Sequence, residues 1–228
     1  MDIIVYNLKL KEGEEYTFTV DIDREDSIEA SCRKTHPFWT YLNYNQCSNC
    51  PLQTSIHKHC PAALDLEEIA EKFGNIISTE RADVWVQTKN RTFFKNCDVQ
   101  EALKSIFGLI MASGNCPILS RLKPLAYFHL PFADIEETVH RLVGTYLIKQ
   151  YFNSVNGKCE PDWNLKGIET LYKELETVNV HFMHRLQDAS TKDASSNALY
   201  IFVTLTSLIS MDINKMLEAL KPIVNNGL

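Results

Sequence analysis

Between residues 47 and 60 the sequence "CSNCPLQTSIHKHC" carries three cysteines and two histidines, side chains that bind zinc and other borderline or soft metals. Cys47 and Cys50 are three positions apart, so their thiolates can grip one tetrahedral ion from a tight turn. Cys60 closes the run, with His57 and His59 just ahead of it. Three cysteines stand directly before proline: Cys50-Pro51, Cys60-Pro61 and Cys116-Pro117. Random placement of seven cysteines and eight prolines in 228 residues would rarely give even one such pair. Proline favours the first position of a helix and drives its predecessor into extended dihedrals. That predecessor becomes the N-cap, facing the unpaired N–H groups of the first turn. A thiolate there gains from those donors and from the helix dipole, and its pKa is expected to fall.

A lowered pKa suits a metal ligand and a nucleophile alike, so two chemistries follow. In the first, Cys47, Cys50 and Cys60 bind Zn²⁺, with Cys116, His57 or His59 as the fourth ligand. Cys116 would arrive from the later part of the chain and make the metal a staple between two halves. An iron–sulfur cluster is the alternative cofactor, since cysteine before proline occurs among its ligands. In the second chemistry, Cys60 or Cys116 is the low-pKa thiol of an enzyme or redox sensor. A zinc knuckle is excluded, because its histidine position holds Ser55 and its glycine is missing. Cys32, Cys97 and Cys159 have no partner at ligand spacing and read as structural.

Other candidates are weaker. Glu137 and His140 have the spacing of a di-iron carboxylate motif, but no second copy exists and Glu137 is explained as a capping glutamate. His181 and His184 lie one helical turn apart, the spacing of a polar helix flank. His129 sits in apolar "FHLPF" and points to a third reading, a small-ligand module with His129 at its wall. No phosphate-binding glycine loop, nucleophile elbow or H-E-x-x-H is present, so nucleotide enzymes, serine hydrolases and zinc proteases have no support.

The elements that must position these side chains can be read from periodicity. "IIVYNLKL" and "EYTFTVDID" predict a hairpin around Gly13, with Tyr16, Phe18, Val20 and Ile22 on one face. "DVWVQT" adds a strand, paired with "RTFF" across Lys89-Asn90. "PAALDLEEIAEKFG" reads as a proline-started helix. Helices follow over "DVQEALKSIFGLIMASG" and "DIEETVHRLVGTYLIKQYF", with capping boxes at Asp98/Glu101 and Asp134/Glu137. "DWNLKGIETLYKELETVNVHFMHRL" is a third long helix; residues 197–210 and 212–224 complete the helical set. The expected class is α+β: a small N-terminal antiparallel β part with a cysteine-rich loop and one helix (1–97), then a helical bundle (98–228), packed as one unit.

A formal charge of −6, with no basic cluster, argues against a nucleic-acid partner. The most apolar stretch, 197–210, is too short to span a bilayer, and the N-terminus does not read as a signal peptide. A cytoplasmic location with reduced thiols is expected. The expected partner is an unidentified protein or small molecule, with a homo-oligomer open. Finally, "QCSNCPL", "CPAALDL", "GLIMASGNCP", "FHLPFADIEET" and "YLIKQYF" together resemble an uncharacterised family of bacterial proteins, a domain of unknown function. That resemblance implies a bacterial, soluble context and brings no activity, cofactor or site residue.

Overall fold

The computed structural model describes residues 2–25, 35–157, 160–189, 197 and 213–226. Residues 198–210 of the helix expected over 197–210, together with Cys32, Cys159 and Asp212, lie outside these residues. The chain is α+β: an antiparallel sheet comes first and the long helices follow.

Strands β1 (Ile3–Leu10) and β2 (Glu15–Asp21) form the first hairpin, and Gly13 turns it with φ of 99°. A left-handed φ is open to glycine without a Cβ penalty. Strands β3 (Arg81–Gln87) and β4 (Thr92–Asp98) form the second, and β3 pairs with β1 to give the order β2-β1-β3-β4. β1 looks irregular in sequence because Ile3 and Val5 are apolar as well. Its register is nevertheless strict: Ile4, Tyr6, Leu8 and Leu10 are buried and their neighbours are not. Phe18, Val20, Val84 and Val86 share that buried face.

The helices are packed on it. Helix α1 (Pro61–Phe73) lies between the second and third strands in sequence and buries Leu66, Ile69, Ala70 and Phe73. Helix α2 (Val99–Ser113) runs straight on from β4 and is the most buried helix, with Leu103, Ile106 and Phe107 fully enclosed. A 3-10 turn (Leu119–Leu122) and short α3 (Lys123–Tyr127) lead to α4 (Ile135–Val155), α5 (Lys166–Ala189) and α6 (Ile213–Val224). One continuous apolar cluster joins the sheet, α1 and α2 to α4 and α5.

Three local expectations need correction or extension. The Asp98/Glu101 capping box does not form, although Asp98 is the N-cap of α2. The adjoining strands supply cations: Arg81 donates to Asp98 at 3.1 Å and Lys95 to Glu101 at 2.5 Å. Ile135, the apolar residue that opens the expected "DIEETVHRLVGTYLIKQYF" helix, is exposed because the core begins a turn later at Val139. β4 runs four residues past "RTFF", to Asp98. By contrast, the Asp134/Glu137 box is complete, with Asp134 Oδ1 accepting from the Glu137 N–H at 2.8 Å and Glu137 Oε2 accepting from the Asp134 N–H at 3.0 Å.

Candidate metal centre

Residues 35–60 form no regular element longer than one turn, yet they are tied down by specific bonds. Leu42 donates to Lys58 O at 2.9 Å and Cys60 donates to Thr40 O at 2.8 Å, clasping the loop between them. Within the loop, the Cys50 N–H reaches Cys47 O at 3.0 Å, the tight turn that the C-x-x-C spacing calls for. Asn49 anchors the turn to α5 by donating to Glu174 O at 3.0 Å. Cys60 is the N-cap of α1, with extended φ and ψ of −76° and 120° and Pro61 at the first helical position. Cys116 opens the turn after α2, where Ser120 donates to its carbonyl at 2.9 Å.

Three separate segments thus deliver four thiols to one place. Every pairing among Cys47, Cys50, Cys60 and Cys116 is close enough for one thiol to raise the pKa of another. All four are partly buried, and none is in a disulfide. As the side chains stand, however, no three of the described Cys, His, Asp and Glu residues converge closely enough to hold a metal ion. The thiols are electrostatic neighbours, not a closed chelate.

The pKa values of Cys47, Cys60 and Cys116 run opposite to the lowering expected for a capping thiolate. Burial, reinforced by the neighbouring thiols, pushes Cys47 up to about 12 and Cys116 up to about 11. Burial also raises Cys60. The helix-start donors do act in the expected sense: the Ala63 and Ala62 N–H groups pull Cys60 down, and those of Leu119 and Ile118 pull Cys116 down. They lose to desolvation, because an anion is costly in an apolar setting and partial charges at one turn offset only part of that. Without a metal these thiols are protonated at neutral pH.

One cation lies beside them. Arg185 is 1% exposed and its guanidinium donates to three carbonyls, Trp39 O at 2.5 Å, Tyr41 O at 2.8 Å and Leu42 O at 3.1 Å. No carboxylate among the described residues pairs with it, its Nε has no partner, and its charge lowers the pKa of both Cys47 and Cys60. Ile168, Leu175, Val178 and Phe182 form the buried apolar stripe of α5, and the sequence reading overlooked that Arg185 continues it. The signal was present: Arg185 follows Phe182 by three positions and therefore lies on the buried stripe.

The histidines do not join the thiols. His57 is exposed. His59 stacks on Tyr41 with ring centroids 4.7 Å apart, and its Nδ1 bonds Thr40 Oγ1 at 2.9 Å. Burial and the neighbouring His36 lower its pKa. His36 itself bonds the buried Glu67 at 2.7 Å. Of the residues considered from sequence, Cys116 is the one the fold brings to Cys47, Cys50 and Cys60. Cys97 lies apart on β4, buried, as a structural cysteine should.

The family model described as Domain of unknown function (DUF6901) matches residues 4–225, nearly the whole chain. The chain belongs to that family. No curated protein and no solved structure matches it significantly. No described helix is long and apolar enough to cross a membrane.

Proposed function

We propose that Cys47, Cys50, Cys60 and Cys116 form a four-thiolate metal centre that ties the cysteine loop to α1 and to the turn after α2. The observation that carries this reading is the mutual coupling of all four thiols, delivered from three segments far apart in sequence. Protonated thiols that repel one another on ionisation are what a divalent cation stabilises, because its charge removes both the repulsion and the desolvation cost. Zinc is the ion proposed, and four protein ligands leave no position open for water, which makes its role structural or regulatory. The protein would then act by binding a protein or small-molecule partner in a reducing, cytosolic compartment. The uncrosslinked state of Cys47, Cys50, Cys60, Cys97 and Cys116 suits such a compartment. The bacterial setting rests on the resemblance alone.

An iron–sulfur cluster is the second reading, supported by the all-cysteine donor set. One zinc ion with bonds of about 2.3 Å draws its four sulfurs to about 3.8 Å from each other, so zinc requires the side chains to turn inward. A four-iron cluster puts a separate iron under each thiolate and holds the sulfurs farther apart. The thiol-enzyme reading loses ground to both, since Cys60 and Cys116 have raised pKa values and protonated thiols are weak nucleophiles.

The test is metal analysis of untagged protein purified without oxygen, with an absorption spectrum and a proton count. Zinc at about one per chain and a colourless solution support the first reading. Iron with sulfide and a brown solution support the second. Rebinding at neutral pH should release a proton from each of Cys47, Cys60 and Cys116, seen as a buffer-dependent heat. Metal-free protein that takes up neither ion, with one cysteine alkylated much faster than the others, overturns the proposal in favour of thiol chemistry.

A further inference from the structure

A second site lies away from the thiols, where α2, α4 and α5 meet the 119–133 segment. It is a cavity of about 120 Å³ with apolar walls that include Leu109, Leu122, Leu125 and Leu175. Its polar lining is Lys104, Ser105, His129, Thr138, Arg141 and Tyr172, and no Asp or Glu lines it. Two cations and no anion is an unusual wall for a chain of net charge −6.

Arg141 decides the chemistry. Its Nη2 donates to Leu125 O at 2.7 Å, while its Nε is buried without a partner. No carboxylate lies within ion-pair distance of it among the described residues, and burial lowers its pKa. Glu137 is near enough to act on it through space, but that carboxylate is held by the Asp134 N–H at 3.0 Å. A half-buried guanidinium left this way is costly unless something outside the chain completes it.

A hydrogen-bonded chain ends at His129 on the wall of the same space. The Phe132 N–H donates to Ser105 Oγ at 3.1 Å, and the Ser105 hydroxyl shares a hydrogen bond with Tyr6 Oη at 2.8 Å. Tyr6 Oη also bonds His129 Nε2 at 2.5 Å, which leaves His129 Nδ1 without a hydrogen-bond partner among the described residues. Burial holds His129 neutral, with its pKa down at about 3, and pushes the Tyr172 phenol up, so neither carries charge at neutral pH.

We infer that this cavity binds a short aliphatic monocarboxylate, its carboxylate on Arg141 with Tyr172 and His129 beside it, its hydrocarbon against the leucines. A cavity of about 150 Å³ holds a benzene molecule of six heavy atoms, so 120 Å³ suits a ligand of about five heavy atoms. The inference does not depend on the metal centre.

The probe is propionate, compared with propionamide, a neutral molecule of the same shape. Calorimetric titration of the full chain should give propionate a Kd of about 1 mM or tighter. The amide should bind at least about tenfold more weakly, because it leaves the guanidinium unpaired. Arg141→Gln should erase the difference, and propionate should shift the His129 ring resonances of the wild-type protein. The acid–amide comparison needs no variant, so it decides the matter even if Arg141→Gln fails to fold. Equal binding of acid and amide, no binding of either, or an unchanged acid preference in Arg141→Gln overturns the inference.

Discussion

Arg185 shows how a single side chain can be both a stability element and part of a site's electrostatics. Its fork satisfies three carbonyls of the segment that leads into the cysteine loop, Trp39, Tyr41 and Leu42. Replacing it with methionine keeps much of the volume but leaves those buried acceptors unpaired, each a desolvated polar group. Arg185→Met should therefore lose about 3 kcal/mol or more of stability in urea denaturation. It should also weaken metal retention, because the cation that lowers the Cys47 and Cys60 pKa values is gone. Arg185→Lys should retain metal better than Arg185→Met while remaining unstable, since it keeps the charge and loses the fork. If the methionine variant holds metal as tightly as the parent, Arg185 is structural only. The sequence made the cysteines legible through the Cys-Pro pairs, which drew Cys116 toward a run ending at Cys60. Arg185 and Arg141 were missed for one reason: periodicity sorts residues into buried and exposed faces, and a cation satisfied by carbonyls or waiting for a ligand violates that sorting.

At the scale of elements, two helix starts with the same sequence signature behave differently, and stability can tell them apart. Asp134 caps α4 in a reciprocal box, so Asp134→Ala should cost about 1 kcal/mol. Asp98 begins α2 without a side-chain cap bond, and its carboxylate is spent on a half-exposed pair with Arg81. Asp98→Ala should cost no more than about 0.5 kcal/mol, as such pairs do. Denaturation midpoints of the two variants check the order, and a larger loss at Asp98 would mean that α2 is capped after all. The motif was readable in both places. Its outcome was not, because Arg81 and Lys95 come from strands whose pairing partners are fixed only once β3 and β4 have aligned. β1 carries the same lesson in reverse. Alternation is blurred along the strand by Ile3 and Val5, and only the sheet order shows which face the helices cover.

Across the whole molecule, the sheet and helices hold together through one apolar cluster, whereas the cysteine loop touches that cluster through partly buried Tyr44 and Cys47 and is otherwise attached by a few polar bonds. The loop has little apolar mass of its own: Gln53, Thr54, Ser55, Ile56 and His57 are all exposed. A segment with so few buried contacts should open at a lower free energy than the sheet unless something else fastens it. The proposed centre shared by Cys47, Cys50, Cys60 and Cys116 would be that fastening, with Cys116 as its contribution from the helical part. Removing the metal, or replacing Cys116 with serine, should therefore loosen the loop selectively. Hydrogen exchange reads this directly. The amides of Leu42, Cys50 and Cys60, bonded to Lys58 O, Cys47 O and Thr40 O, should lose at least about tenfold in protection. Amides in the β1–β3 ladder should hold theirs, since their protection comes from the core. Uniform loss across sheet and loop would mean that the thiols support the global fold and do not staple a local one. No change at the loop in either the chelated protein or Cys116→Ser would mean that the three carbonyls held by Arg185 already suffice, leaving the thiols no structural task.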